Sequence, residues 1–385
     1  MDSTGNSNSS QQIPSAIPAV HVNEKKADSV DQVRKLGEKI ETSPVPPDLR
    51  ELLLERVARL GLLRASSGYL SSTYITEYEA SAQYIDWVVK LPWTTKTSDI
   101  LDLANAKAVM DKNHYGLPQV KDYILNYLSV LILKESNLSK SSTQENLSPS
   151  KAPILCLVGL AGTGKTTLAA SIAESLGRKF ERIPFGGMGD ARALRGQSRA
   201  FPDAEPGYII KKLAHCQSRN PVILLDELDR VSEGARSDIM GVLVELLDPE
   251  QNKAFTDHFV DYPFNLSEVL FIATSNNTTN ISTAVLDRLE IIQMPSYSDA
   301  EKIVIAKSYL FPKIREAAGL SENQVFIDES LWPTIIRPLG YDSGIRSLHR
   351  TIDGMCRKVA RFIVEKKGQL VKIDPSNVKE FLPTW

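Results

Sequence analysis

Ile154-Leu-Cys-Leu-Val-Gly159-Leu-Ala-Gly162-Thr-Gly164-Lys165-Thr166-Thr167 is the stretch that decides how this chain is read. Its first five residues are all apolar, which suits a strand buried on both faces. Gly159 to Thr166 then satisfies G-x-x-x-x-G-K-[ST], and the following TTLAASIAESLG has helical apolar spacing. A strand, a glycine-rich loop and a helix in this order make a phosphate cradle. Gly159, Gly162 and Gly164 let backbone N–H groups curl around phosphates, and the helix N-terminus adds its positive end. Lys165 is expected on the β- and γ-phosphates of a nucleotide and the Thr166 hydroxyl on Mg²⁺, with Thr167 in the same binding run.

Working outward, Val222-Ile-Leu-Leu225 is a second apolar strand, and it ends in Asp226-Glu227. A carboxylate at the C-terminal end of a parallel strand lies beside the phosphate site. Asp226 is therefore expected to hold Mg²⁺ through water, and Glu227 to polarise the attacking water. Val269-Leu-Phe-Ile-Ala273 is a third strand. It leads into Thr274-Ser275-Asn276, where a polar tip reaches between the γ-phosphate and the water. Leu286-Asp287-Arg288 ends a helix-like segment, and an arginine there can face a neighbouring subunit's nucleotide. Arg346, after Ser343-Gly344-Ile345, opens a long helix near residues 343–366. A short apolar strand is expected at Leu370–Ile373.

The alternation of strands and helices over residues 153–297 argues for a parallel sheet flanked by helices. Before it, residues 46–134 read as helical: PPDLRELLLERVARLGLL, a helix near Ser81–Val89 that stops at Leu91-Pro92-Trp93, and VKDYILNYLSVLILKE. Residues 135–152 are Ser-rich and read as a linker. Residues 1–45 read as a disordered tail leading into the helical region, and 298–385 as mostly helical. The chain has 385 residues, with Lys+Arg 45 against Asp+Glu 47, so its net charge of −2 gives no general case for nucleic acid or an anionic membrane. No apolar run approaches the ~18 residues of a membrane helix. Three distant cysteines form neither a disulfide framework nor a zinc cluster and fit a reducing compartment. The start has no secretory or Arg-rich presequence pattern, and the end is not a peroxisomal tripeptide. By elimination an intracellular location is expected, its compartment unassigned.

These pieces in this order resemble an AAA+ ATPase, and their wording is similar to the ATPase part of the Lon family of ATP-dependent proteases. The resemblance rests on ILCLVGLAGTGKTTLA, PVILLDELDR, DRLEIIQMPSY, YDSGIRSLHR, YIDWVVKLPW and, above all, LLDPEQNKAFTDHFVDYPFNLSEVLFIATSN. It implies an α/β AAA+ P-loop NTPase core, a C-terminal helical lid over 298–385 and an N-terminal helical neck. Gly159–Thr166 becomes the Walker A loop and Asp226-Glu227 the Walker B pair. Asn276 becomes sensor 1, Arg288 the arginine finger and Arg346 sensor 2. ATP and Mg²⁺ are the implied cofactors. The implied partners are protein substrates, further copies in a ring, expected to be a hexamer, and a full-length Lon relative.

Two departures stand out. The family's Ser-Lys proteolytic domain has no counterpart in these residues, so no peptidase activity is expected from this chain alone. The loop that grips polypeptide in the family, an aromatic followed by an aliphatic residue, reads here Phe201-Pro202. Phe201 keeps the aromatic, whereas Pro202 fixes φ and removes an N–H. Three readings stay open: a ring-forming ATPase that remodels or unfolds proteins, a non-hydrolysing subunit that regulates rings of a full-length relative, and a fragment of such a protease. A DNA-associated motor has little support, because no basic or aromatic patch stands out.

Overall fold

A computed structural model of the chain describes residues 32–68, 71–138, 154–337 and 344–383. The expected tail through residue 31 and the Ser-rich stretch from residue 139 lie outside the described residues. The chain divides into two compact units at Lys90/Leu91.

The first unit is helical. Residues 32–42 form α1, Pro47–Ser67 form α2 and Ser72–Lys90 form α3. Pro46 and Pro47 start α2, with Asp48 in its first turn, where a fixed φ and a negative charge both favour a helix N-terminus. Helix α3 begins well before the expected Ser81. Its early turns carry tyrosines, which a simple apolar count underweights. Tyr74 is buried, and its ring centroid lies 6.0 Å from that of Tyr78.

The second unit begins with an extended stretch and then α4, Leu103–Asn113, and α5, Pro118–Leu138. These helices belong to the unit that holds the sheet. Ala106, Met110, Val120, Ile124 and Leu128 share one apolar cluster with Leu155, Leu157, Leu224 and Ile272. Helix α5 also runs to Leu138, past the point where the linker was expected to start.

The α/β core follows as β1 (Ile154–Val158), α6 (Lys165–Leu176), β2 (Phe180–Pro184), α7 (Arg192–Arg195), α8 (Tyr208–Cys216), β3 (Val222–Asp226) and α9 (Arg236–Leu247). A small antiparallel hairpin, β4 (Phe255–Thr256) and β5 (Pro263–Phe264), precedes β6 (Leu270–Ser275), α10 (Thr283–Leu286) and β7 (Leu289–Gln293). The main sheet is parallel, in the order β2-β3-β6-β1-β7. Every residue of β3 and β6 is buried, which explains their unbroken apolar runs. The register pairs Val158 with Ser275 and Leu225 with Ala273. Gly159, Asp226 and Asn276 therefore leave the sheet at the same carboxyl edge, where ligands bind in open α/β sheets.

The remaining residues form a lid. Helix α11 (Asp299–Ile305) is capped by a reciprocal Ser298–Glu301 box and passes through a π-turn, Ala306–Leu310, into α12 (Phe311–Ala317). Pro312 lacks the N–H that would continue the helical ladder there. Strand β8 (Val325–Ile327), α13 (Trp332–Ile335), α14 (Arg346–Val364), β9 (Val371–Ile373) and α15 (Val378–Phe381) complete it. On α14 the buried residues Leu348, Ile352, Met355 and Val359 recur at helical spacing and pack with Trp332, Val371 and Phe381. The expected strand near Leu370 finds a parallel partner in β8, which sequence reading missed because three residues carry too little periodicity.

Candidate functional site

The loop between β1 and α6 is shaped by its glycines. A Cβ on Gly159 would lie 2.7 Å from Met294 O, so that position accepts no side chain. Gly162 and Gly164 have φ of +82° and +92°, a region that favours glycine. The lid closes on this loop directly. Ile345 N–H donates to Gly162 O at 3.1 Å, and a Cβ on Gly344 would sit 2.3 Å from Ala161 O. Arg346, the first residue of α14, has its Cγ 3.3 Å from where a Cβ of Gly162 would be. The backbone at Gly344–Arg346 thus holds a lid arginine beside the loop.

Lys165 is buried, and its ammonium donates to Gly159 O at 2.5 Å, Leu160 O at 3.0 Å and Asn276 Oδ1 at 3.2 Å. Burial lowers its pKa and Arg346 adds to that, while Asp229, Asp226 and Glu227 oppose it. Thr166 Oγ1 faces Asp226 Oδ1 at 3.4 Å. A hydroxyl and a carboxylate, all oxygen, fit the donors a Mg²⁺ ion takes when phosphates and water fill its other positions. Thr167 turns back and donates to Gly164 O at 2.9 Å.

Glu227 adopts φ +62°, left-handed for a residue with a side chain, at the turn after β3. Such backbone persists where its surroundings hold it, and it concentrates at functional sites. Here its N–H donates to Thr274 Oγ1 at 3.0 Å, and that hydroxyl in turn donates to Asp226 Oδ1. Gly186 leaves room for the side chain: a Cβ there would be 3.0 Å from Glu227 Oε2.

Several functional neighbours escaped the sequence reading. Asp229 accepts from Asn276 N at 3.0 Å and Asn276 Nδ2 at 3.2 Å, which turns the amide oxygen of Asn276 toward Lys165. Arg182 Nε donates to Asp226 Oδ2 at 2.6 Å from the neighbouring strand, where Pro184 pairs with Asp226. Tyr297 OH donates to Thr163 O at 3.2 Å, and burial pushes its phenol up to about 12. His114, between α4 and α5, meets Ser171 Oγ of α6 at 3.0 Å. Burial takes its pKa down to about 4, against a weaker backbone contact at Thr167. A signal existed for Thr274, which with Ser275 makes the polar end of an apolar strand. The others are recognisable only once strands from distant parts of the sequence are neighbours.

The structure thus brings together Gly159, Gly162, Gly164, Lys165, Thr166, Thr167, Asp226, Glu227, Asn276 and Arg346. It ties Arg288 to other partners: its guanidinium donates to Ala284 O at 2.8 Å and pairs with Asp248 at 3.1 Å. Hydrogen bonds from the Glu250 and Gln251 backbone and the Arg288 pair hold the Asp248 carboxyl below its usual range. Phe201 projects from a separate loop and is 56% exposed. Among the described residues, no helix is long and apolar enough to cross a membrane.

Comparison with known proteins agrees with this geometry. Residues 155–297 match the family model of the ATPases associated with various cellular activities, and residues 316–371 match the Lon protease AAA+ ATPase lid domain. The chain is 39% identical over 355 residues to a Lon protease of Lawsonia intracellularis, which covers 92% of this chain and 40% of that protein. It is 40% identical over 351 residues to Lon protease 1 of Bacillus subtilis, covering 91% and 43%. It is 38% identical over 351 residues to Lon protease 2 of Thermus thermophilus, covering 91% and 42%. The chain spans about two fifths of the length of the curated relatives it matches. A phosphate loop closed by its own lid, on a parallel sheet with these relatives, places the chain in the Lon family as its AAA+ ATPase portion.

Proposed function

We propose that this chain hydrolyses ATP at the loop 159–167 and uses the cycle to remodel or unfold protein, with sites completed between copies in a ring. The observation that carries the reading is the chain Lys165–Asn276–Asp229 beside Thr166–Asp226–Thr274–Glu227. The first run holds a phosphate-neutralising ammonium, and the second links a metal-binding hydroxyl and carboxylate to the backbone N–H of the residue that supplies the general-base carboxylate. Mg²⁺ held by Thr166 and, through water, by Asp226 would supply charge neutralisation on the phosphates. Glu227 orients water for in-line attack on the γ-phosphate, and Asn276 holds Lys165 and that water in place. Lys165 and Arg346 stabilise the charge that develops on the phosphoryl oxygens. Gly344–Arg346, bonded to the loop through Ile345, carries the change in occupancy into the lid.

Arg288 is held by Asp248 and Ala284 of its own chain, so its role is read as completing a neighbour's site. Two variants inactive for opposite reasons test this. Glu227→Gln and Arg288→Ala, each purified and then mixed, should regain turnover, because a mixed interface holds one intact Glu227 and one intact Arg288. Specific turnover of the wild type should also rise with protein concentration. Turnover independent of concentration, with no recovery on mixing, would sink the intersubunit reading.

A second reading is favoured by the coverage of the relatives, which are named proteases: that this ATPase drives a peptidase. Addition of ATP would then accelerate degradation of an unfolded protein by a full-length relative mixed with this chain. An unchanged rate with co-assembly demonstrated would remove that reading.

A further inference from the structure

The loop that carries Phe201 is anchored in an unusual way. It leaves α7 at Gly196 and returns at Gly207, where α8 begins. Its neck is closed by Gln197 N–H donating to Glu205 O at 3.1 Å. Its tip is a tight turn, with Phe201 N–H on Ser198 O at 3.0 Å and the phenyl ring exposed. Both feet meet one carboxylate. Asp257, fully buried in the connection between β4 and β5, accepts from Gly207 N–H at 2.7 Å. Gly196 packs onto the same group: a Cβ there would lie 2.6 Å from Asp257 Oδ1, at a φ of +75°.

Asp257 is itself held. It accepts from Phe259 N–H at 2.8 Å and Val260 N–H at 3.1 Å. The next residue reaches back to α7, His258 N–H donating to Arg195 O at 2.7 Å. Arg195 pairs with Glu245 of α9. Gly207 has no room for a side chain either, since its Cβ would be 2.0 Å from Leu194 O. The feet of the loop are thus locked to the hairpin and to α9, while the tip carries an exposed aromatic.

We propose that Asp257 is the positioning residue of the polypeptide-gripping loop: it clasps Gly196 and Gly207 so that movement of the α/β core reaches Phe201 as displacement of a rigid arm. This rests on the reading of Phe201 as the residue that contacts an unfolded polypeptide. Pro202 fits the same design, because a fixed φ next to the aromatic stiffens the tip that the clasp holds at its base. Burial pushes the Asp257 carboxyl up, against the backbone N–H groups that it accepts, so the clasp is a desolvated contact, and its loss leaves buried donors without partners.

The test uses the full chain with ATP and fluorescein-labelled unfolded casein. The variants are Asp257→Ala, Asp257→Asn, Phe201→Ala and the Phe201→Ala/Asp257→Ala double. Loss of a hydrogen bond to a charged group is worth about tenfold in an equilibrium, so Asp257→Ala should raise the casein concentration for half-maximal stimulation of turnover about tenfold. Its KM for ATP should stay within about twofold, since nothing at the nucleotide loop is removed. Asp257→Asn, which keeps one acceptor oxygen, should recover part of the loss. The double variant should be no worse than Phe201→Ala alone, because the clasp acts through the aromatic.

An unchanged casein response in Asp257→Ala, or additive losses in the double variant, would overturn the proposal. Amide hydrogen exchange separates it from the reading beneath it. Exchange over residues 197–207 should speed up in Asp257→Ala while β3 and α6 are unaffected, and unchanged exchange there overturns the clasp itself. If exchange speeds up but Phe201→Ala leaves the casein response intact, the polypeptide reading of Phe201 fails and the positioning role fails with it. Should Asp257→Ala not fold, Gly196→Ala displaces the same foot from the carboxylate and carries the same expectations.

Discussion

Two glycine-framed loops of the α/β unit are built in opposite senses. The loop 159–164 is closed at its tip: the lid backbone bonds to Gly162, and Lys165 and Asn276 converge on it from α6 and β6. The loop 196–207 is closed at its base by Asp257, and its tip is left in solvent. The first arrangement fixes charges around one small ligand. The second fixes only the direction of an arm and leaves its end free to meet a variable surface. A side chain whose neighbours are all specified has a chemical role that geometry can express; one specified only at its root has a mechanical role.

The sharpest way to break this contrast is Glu227→Gln. Removing a general base costs about 10²–10⁴-fold in rate, so turnover should collapse within that range while the affinity for ATP analogues stays close to that of the wild type. A loss confined to affinity would mean that Glu227 is one more cradle residue, and the first loop would then be a binding device only.

The buried titratable groups behind the two loops give the next largest effect, with opposite signs. His114 supports α6 through Ser171 and has its pKa lowered to about 4 from 6.5. The unfolded chain therefore binds more protons than the folded one between those values. This contribution to stability is complete above pH 6.5 and falls as pH drops toward 4, by up to about 3 kcal/mol. Asp257 has its pKa raised by burial, so its contribution is present below the ordinary aspartate value and is lost as pH rises through the raised one. Thermal unfolding followed from pH 7 to 4.5 should show a falling Tm. His114→Gln should flatten that fall; an equally steep fall in the variant would assign it to other groups.

How much of this was legible without coordinates follows the same division. The apolar runs of β1, β3 and β6 and the G-x-x-x-x-G-K-T pattern are local, so the sheet core and the cradle could be read directly. Asp226 and Asn276 were legible because each ends a strand whose direction and layer the pattern already implied. Arg182 and Asp229 were not. Arg182 matters because Pro184 pairs with Asp226, and Asp229 matters because the turn after Glu227 brings its carboxylate under Asn276. Asp257 was invisible for a stronger reason: the two loop feet that it holds are glycines, whose significance lies in the side chain they lack. That α4 and α5 pack against the sheet was not legible either, because they have the apolar stripe of any packed helix, which does not say which core they cover.

Asp229 tests whether the first loop needs its third layer. Asn276 N–H and Nδ2–H both donate to this carboxylate, and the Asn277 amide adds a contact at 3.4 Å. Asp229→Ala leaves those donors unpaired and frees the Asn276 amide to turn from Lys165. A buried donor without a partner costs about 1–3 kcal/mol, so turnover should fall about tenfold or somewhat more. If stability drops by that amount but kcat per folded molecule is unchanged, Asp229 serves the fold and not the site.

The smallest effect is expected at Arg182, and it bears on how tightly the first loop is specified. Its Nε donates to Asp226 Oδ2, and that carboxylate also accepts from Thr274 and faces Thr166. The guanidinium fixes the plane of the carboxylate from the β2 side and leaves Oδ1 toward the metal-binding hydroxyl. Its own side chain is half exposed, at 51%, so solvent screens the pair. Exposed pairs contribute about 0.2–1 kcal/mol, and Arg182→Gln should therefore raise the Mg²⁺ concentration for half-maximal nucleotide binding by no more than about fivefold. The substitution also removes a positive charge that competes with the metal for Asp226, and that acts in the opposite direction. Titrating a fluorescent ATP analogue at several fixed Mg²⁺ concentrations separates the two. A weaker Mg²⁺ requirement in the variant would show that Arg182 occupies the metal's carboxylate in the absence of nucleotide, and that binding must first displace it.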